Sequence, residues 1–208
     1  MTVELYLAFI LTGLVVIASP GPTSFLVLAH AMGTNRRSPA FAIAGILCSN
    51  MVFVTVTVLG LTTALSASQP ALVFIRTLGA VYLIYLGGKH IVTAFRAEKL
   101  GGTVSPVSHA HGRTAFFQGF LTSITNPKAL LFYFSLFSQF VTPGMDIVRQ
   151  QVILGITYIF LVLVVLSGYA ILGHRVALFF QQAKRWPQCL SGGCLIATGA
   201  FMAKTARG

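Results

Sequence analysis

The sequence predicts an all-α membrane protein: six transmembrane helices as two inverted three-helix repeats, with helices 1 and 4 broken. Three observations carry that expectation. First, 56% of the residues are hydrophobic, 8% are charged, and the mean hydropathy is +0.86; a soluble domain carries roughly 25% charged residues. Second, turn residues and charges divide the chain into six apolar segments. Third, Ser19-Pro20-Gly21-Pro22 and Thr125-Asn126-Pro127-Lys128 interrupt corresponding segments of the two halves. A proline inside a helix removes a backbone donor and clashes with the preceding turn. Hydrocarbon offers no water to repair that break, so it must face protein or a wet cavity.

The elements follow in order. Segment one runs from about Leu5 to Met32 and contains the Ser-Pro-Gly-Pro interruption; Gly33 to Pro39 is a turn cluster. Segment two covers about Ala40 to Leu65, and Ser66 to Pro70 forms an uncharged turn before segment three, about Ala71 to Phe95. Each exceeds the roughly 20 residues a helix needs to cross the hydrocarbon core. The polar stretch Arg96 to Arg113 is the linker between halves. Segment four, about Thr114 to Val141, holds the Asn-Pro-Lys interruption, and Thr142 to Asp146 turns the chain. Segments five and six run from about Gln150 to Gly173 and from about Pro187 to Ala203, with Trp186 suited to an interfacial anchor. The 208 residues thus form a single transmembrane domain: repeat one over 1–95, a cytoplasmic linker over 96–113 and repeat two over 114–208.

The halves echo one another. Leu78 to Gly87 in segment three and Leu190 to Gly199 in segment six both keep Leu-Ile-x-x-Gly, with small residues a turn earlier. An odd number of spans per repeat forces the copies into opposite orientations, the plan of an inverted-repeat transporter, whose substrate site lies at its discontinuous helices.

Formal net charge is +11, from 14 Lys and Arg against Glu4, Glu98 and Asp146. The cations cluster between apolar runs, which points to anionic lipid and membrane orientation instead of nucleic acid. Arg36, Arg37, Lys89, Arg96, Lys99, Arg113, Arg175, Lys184 and Arg185 fall on one side of a six-span chain; Arg76, Arg149, Lys204 and Arg207 fall on the other. The positive-inside rule then puts the first group in the cytoplasm and both termini outside. Ala29-His30-Ala31 imitates a signal-peptide cleavage site, but no basic region precedes it and the apolar run is too long, so no cleavage is expected.

Enzyme chemistry is not expected. His109-Ala110-His111 stands without further metal-ligand spacing, Gly87-Gly88-Lys89-His90 lacks the upstream glycine of a phosphate loop, and no nucleophile–base pair is visible. Neither metal nor cofactor is implied. A membrane thiol–disulfide oxidoreductase is an alternative function, but it needs two cysteines on facing spans; Cys189 and Cys194 share segment six, and Cys48 is elsewhere. A non-transporting membrane scaffold is a further alternative.

With Ser19-Pro20-Gly21-Pro22, Arg76-Thr77-Leu78-Gly79-Ala80-Val81-Tyr82-Leu83-Ile84-Tyr85-Leu86-Gly87 and Asn126-Pro127-Lys128-Ala129 in order and in register, the chain resembles the lysine exporter/homoserine–threonine resistance (LysE/RhtB-type) family. The resemblance implies a bacterial inner (plasma) membrane protein. It further implies secondary-active export of amino acids or close derivatives, driven by the proton or electrochemical gradient. Arg37-Ser38-Pro39-Ala40 departs from the family where members often carry a glycine, and Asn50 stands where some carry an acid.

The candidate substrate-binding residues are Pro20, Gly21, Pro22, Thr23, Ser24, Asn50, Arg76, Tyr82, Asn126, Pro127 and Lys128. A half-helix starting at Pro22 would aim its first amides and positive dipole end at a carboxylate, with the Thr23 and Ser24 hydroxyls beside it. Prolines also serve as packing kinks. Lys128 is the one basic residue in the middle of a span; at a helix centre it costs about 2.5–3.5 kcal/mol, and such residues are retained mostly for function; snorkelling or a structural pair is its other reading. Asn126 would orient the second break. Asn50 and Arg76 suit interhelical hydrogen bonds as well as substrate contact. Tyr82 and Tyr85 suit either the transport path or aromatic packing. The expected partners are a small amino-acid substrate and the lipid bilayer, and the helix-face glycines suit a homodimer.

Overall fold

The computed structural model describes residues 1–19, 21–67, 111–126, 137–142 and 146–173, together with residues 77, 81, 84, 85, 88, 91, 92, 129, 133, 175, 193, 196, 197 and 200. Among these, all regular structure is helical: α1 (Val3–Ala18), α2 (Pro22–Ala31), α3 (Ser38–Ala67), α4 (Gly112–Ile124) and α5 (Ile147–Ile171). Most of segments three and six and of the linker lies outside the described residues.

Helix ends follow from side-chain chemistry. Thr2 caps α1 by accepting the Leu5 amide at 3.4 Å, with Glu4 in the first turn against the positive dipole end. Asp146 caps α5 in the same way, accepting the Arg149 amide at 3.0 Å. Residue 20 is a proline, and a residue before proline is driven from the helical region; Ser19 accordingly sits at φ −67°, ψ 125° and ends α1. Pro22 then occupies the first turn of α2, where its missing amide costs nothing. The axes of α1 and α2 differ by 58°. The expected interruption of segment one is therefore a break between two helices.

α3 and α5 are long and apolar enough to cross a membrane, over Ser38–Gly60 and Ile147–Ile171, and the bent α1–α2 pair is a third candidate span. The 23 residues from Ser38 to Gly60 rise about 35 Å, against a hydrocarbon core of about 30 Å. α4 begins at Gly112, slightly before the expected start of segment four at Thr114, and stops at Ile124, just ahead of Asn126-Pro127.

Packing fixes the sense of each helix. α1 and α5 run the same way: Tyr6 Oη, near the start of α1, is 2.8 Å from Thr157 Oγ1 midway along α5, and Tyr169 Oη, near the end of α5, donates to the Ala18 carbonyl at the end of α1 at 2.7 Å. α3 runs against α5, with Val54 beside Gly155, and Pro39 and Ala40 beside Ala170 and Ile171. α3 and α4 approach most closely, through Gly45 and Gly119. At either glycine a Cβ would collide with the other helix's backbone, the Phe116 carbonyl oxygen for Gly45 and that of Ala42 for Gly119. The His30 Nδ1–Ser38 Oγ hydrogen bond, 2.7 Å, ties the end of α2 to the start of α3.

The core between these helices is rich in aromatic rings. Tyr133 is 5.1 Å from Tyr158, 5.3 Å from Phe53 and 5.4 Å from Phe137, and Phe9 packs edge-on to Phe140 at 5.5 Å. The Tyr133–Tyr158, Tyr133–Phe137 and Phe9–Phe140 pairs are edge-to-face, an arrangement that adds about 0.5–1.5 kcal/mol each beyond area burial. At one end of the molecule, Arg36, Arg37, Arg113 and Arg175 lie around the starts of α3 and α4 and just past α5; the other end carries Glu4, Asp146 and Arg149.

Candidate functional site

The break between α1 and α2 and the turn after α4 open onto one cavity of about 60 Å³. Its polar lining comes from Ser19, Gly21, Thr23 and Ser24 at the first break, Ser123 and Asn126 at the second, and Asn50 on α3. Its apolar lining comes from Val16 and Ile17 on α1, Ile46 on α3, and Tyr158, Val162 and Leu166 on α5, with Ala129 beyond the second break. That is space for a few waters in a site with ample polar partners for them.

The backbone at the first break is prepared for an acceptor. Gly21 is extended, at φ −155° and ψ −179°, and no side chain caps α2. The first intrahelical bond is Phe25 N–H to the Gly21 carbonyl, 2.9 Å. The Thr23 and Ser24 amides therefore precede the helix ladder and have no acceptor within it, at the positive end of the dipole. Tyr169 holds the other side of the break through its bond to the Ala18 carbonyl, and it also interacts with the Ser24 side chain.

At the second break the Thr125 hydroxyl donates to the Leu121 carbonyl at 2.6 Å, and the Thr125 amide bonds the same oxygen at 3.0 Å. Asn126 then leaves the helix: its amide reaches the Ser123 carbonyl at 3.1 Å, while its own carbonyl accepts from Ala129 N–H at 3.0 Å. The chain folds over a turn at Asn126, whose side chain is buried against the cavity. Asn50 is buried at the cavity too.

Of the residues expected from sequence, the structure brings Gly21, Thr23, Ser24, Asn50 and Asn126 to one cavity. Pro22 is exposed at the start of α2 and is not in the lining. Pro20, Arg76, Tyr82, Pro127 and Lys128 lie outside the described residues, as do Cys189 and Cys194. Tyr85 is exposed and away from the lining. Sequence reasoning missed Ser123 and the α5 face. Ser123 stands about one helical turn before Asn126, and Tyr158, Val162 and Leu166 recur every four residues on one face of α5; helical spacing from a known break would have found the first but not the second.

The profile of the LysE type translocator family matches residues 14–205, nearly the whole chain. The chain belongs to the LysE type translocator family. It is 30% identical over 207 residues to a homoserine/homoserine lactone efflux protein of Salmonella typhi, with 98% of each chain covered. It is 31% identical over 172 residues to a leucine efflux protein of Klebsiella pneumoniae, with 78% of each covered. A threonine efflux protein of Escherichia coli (strain K12) shares 30% identity over 137 residues, 66% of each chain. No solved structure matches this LysE-type chain.

Proposed function

We propose that this protein is a secondary-active exporter that takes amino acids from the cytoplasm across the bacterial inner membrane, driven by the proton or electrochemical gradient. The observation that carries the proposal is the meeting of two interrupted helices at one cavity, where polar groups from both breaks face apolar side chains. The substrate carboxylate sits against the Thr23 and Ser24 amides, where the helix dipole contributes about 0.3–2 kcal/mol. Asn50 and Asn126 hydrogen-bond the ammonium or carboxylate. Pro20 and Pro127 hold the two breaks open, Lys128 supplies a counter-charge, and Arg76 and Tyr82 belong to the path to and from the site. The relatives named for homoserine, threonine and leucine efflux support an amino-acid substrate. No chemical step on the substrate is part of this function. Six spans in two inverted repeats, with both termini outside, complete the proposal.

The test is efflux of radiolabelled amino acids from proteoliposomes holding the purified protein. Asn50→Ala and Asn126→Ala should each lower flux about tenfold or more, the cost of a lost hydrogen bond to a charged group, and Lys128→Ala should do the same. Flux equal to wild type in all three would remove the site.

A further inference from the structure

Among the described lining residues, the two breaks supply every side-chain hydrogen-bonding group except Asn50 and the Tyr158 phenol. α5 contributes something different. Tyr158, Val162 and Leu166 lie four residues apart, so they stack on one helix face over about 12 Å, and all three are at least nine-tenths buried. With Val16, Ile17 and Ile46 they make a lining that is hydrocarbon except for the Tyr158 hydroxyl, beside the polar one. An amino acid has the same division, a zwitterionic backbone and a side chain, and the polar lining already answers the backbone.

We propose that the Tyr158–Val162–Leu166 face of α5 is the specificity wall of this carrier, reading an uncharged side chain of limited size, with Val162 at its centre. This rests on the amino-acid reading above and adds the chemistry of the side chain. The charge argument is direct. No acidic residue is among the described lining. Glu4 and Asp146 are exposed at the far end of the molecule, and Glu98 is the only other acid in the chain. A second ammonium, as on lysine, would enter without a counter-ion, and an unpaired buried charge is strongly disfavoured. The size argument rests on the wall itself. Val162 stands between Tyr158 and Leu166, so trimming it deepens the apolar side of the cavity, and enlarging it fills space that a side chain needs.

The experiment is counterflow in proteoliposomes with labelled threonine, leucine and lysine, for wild type and for wall variants. Wild type should move threonine or leucine at least about tenfold faster than lysine. Val162→Ala should raise the leucine-to-threonine ratio and Val162→Leu should lower it. Each shift should be about tenfold, the usual discrimination for a methylene-sized change in an apolar pocket. Leu166→Ala gives a second enlargement, read by the same ratio, should either Val162 replacement prevent folding. Lysine moving as fast as threonine would overturn the wall, as would ratios unchanged in every folded variant while wild type transports normally. A wild type that moves none of the three would overturn the amino-acid reading itself, and the wall with it.

Discussion

At the scale of single residues, Gly45 and Gly119 matter for what they lack. A Cβ on Gly45 would also lie 2.8 Å from the Phe120 amide nitrogen, and one on Gly119 would lie 2.9 Å from the Ala42 carbonyl carbon. These are backbone atoms on the facing helix, which cannot rotate aside as a side chain can. Membrane helices associate through such close approaches because lipid tails compete equally for apolar side chains. Gly168, by contrast, has open space where a Cβ would stand, with no described atom within 4 Å. Gly45→Ala and Gly119→Ala should therefore force α3 and α4 apart at a cost of at least about 1–3 kcal/mol, read as a lower unfolding temperature in detergent. Gly168→Ala should leave that temperature within error. Equal behaviour of the three variants would contradict the close crossing. The crossing also positions the cavity, since α3 carries Asn50, and Ser123 and Asn126 follow Gly119 by one to two turns at the end of α4.

At the scale of elements, α5 shows what the sequence hides. Its outward side carries Val148, Val152, Ile156 and Phe160, all exposed, while Leu154, Tyr158, Val162 and Leu166 on the inward side are buried. Both sides are apolar, so no polarity contrast separates the lipid face from the protein face; burial in lipid and burial in protein select the same residue types. The breaks were legible because proline has a fixed local effect that tertiary context does not override, and Gly21, Thr23, Ser24 and Asn126 came with them. Asn50 was legible as an amide in an apolar run. The hydrocarbon half of the cavity was not, because Val162 looks like every other valine in its segment. A direct check of α5's faces is available. Ile156→Lys places a charge on the lipid side of the span and should cost about 2.5–3.5 kcal/mol of insertion free energy. It should cut the membrane-inserted fraction sharply, whereas Ile156→Leu should match wild type. Normal insertion of the lysine variant would mean that this side of α5 faces protein or water.

At the scale of the whole molecule, the helix directions and the charges agree with one another. α3 and α5 are antiparallel, so the chain between them must cross the membrane an even number of times, and segments three and four supply two crossings if both span fully. α1 and α5 run in the same sense, as the first and fifth spans of a six-span chain must. The end of the molecule with Arg36, Arg37, Arg113 and Arg175 is the one where α3 and α4 start and α5 finishes. Positive charge is retained in the cytoplasm, so that end is expected to face inward and the end with Glu4 and Asp146 to face out. Single cysteines introduced into a variant lacking Cys48, Cys189 and Cys194 test this. A membrane-impermeant maleimide applied to intact cells should label Asp146→Cys and leave Arg36→Cys and His111→Cys untouched until the cells are opened. The opposite pattern would invert the molecule. Labelling of His111→Cys together with Asp146→Cys would mean that segment four re-enters without crossing, which the antiparallel packing of α3 and α5 would then have to accommodate by a re-entrant segment three as well.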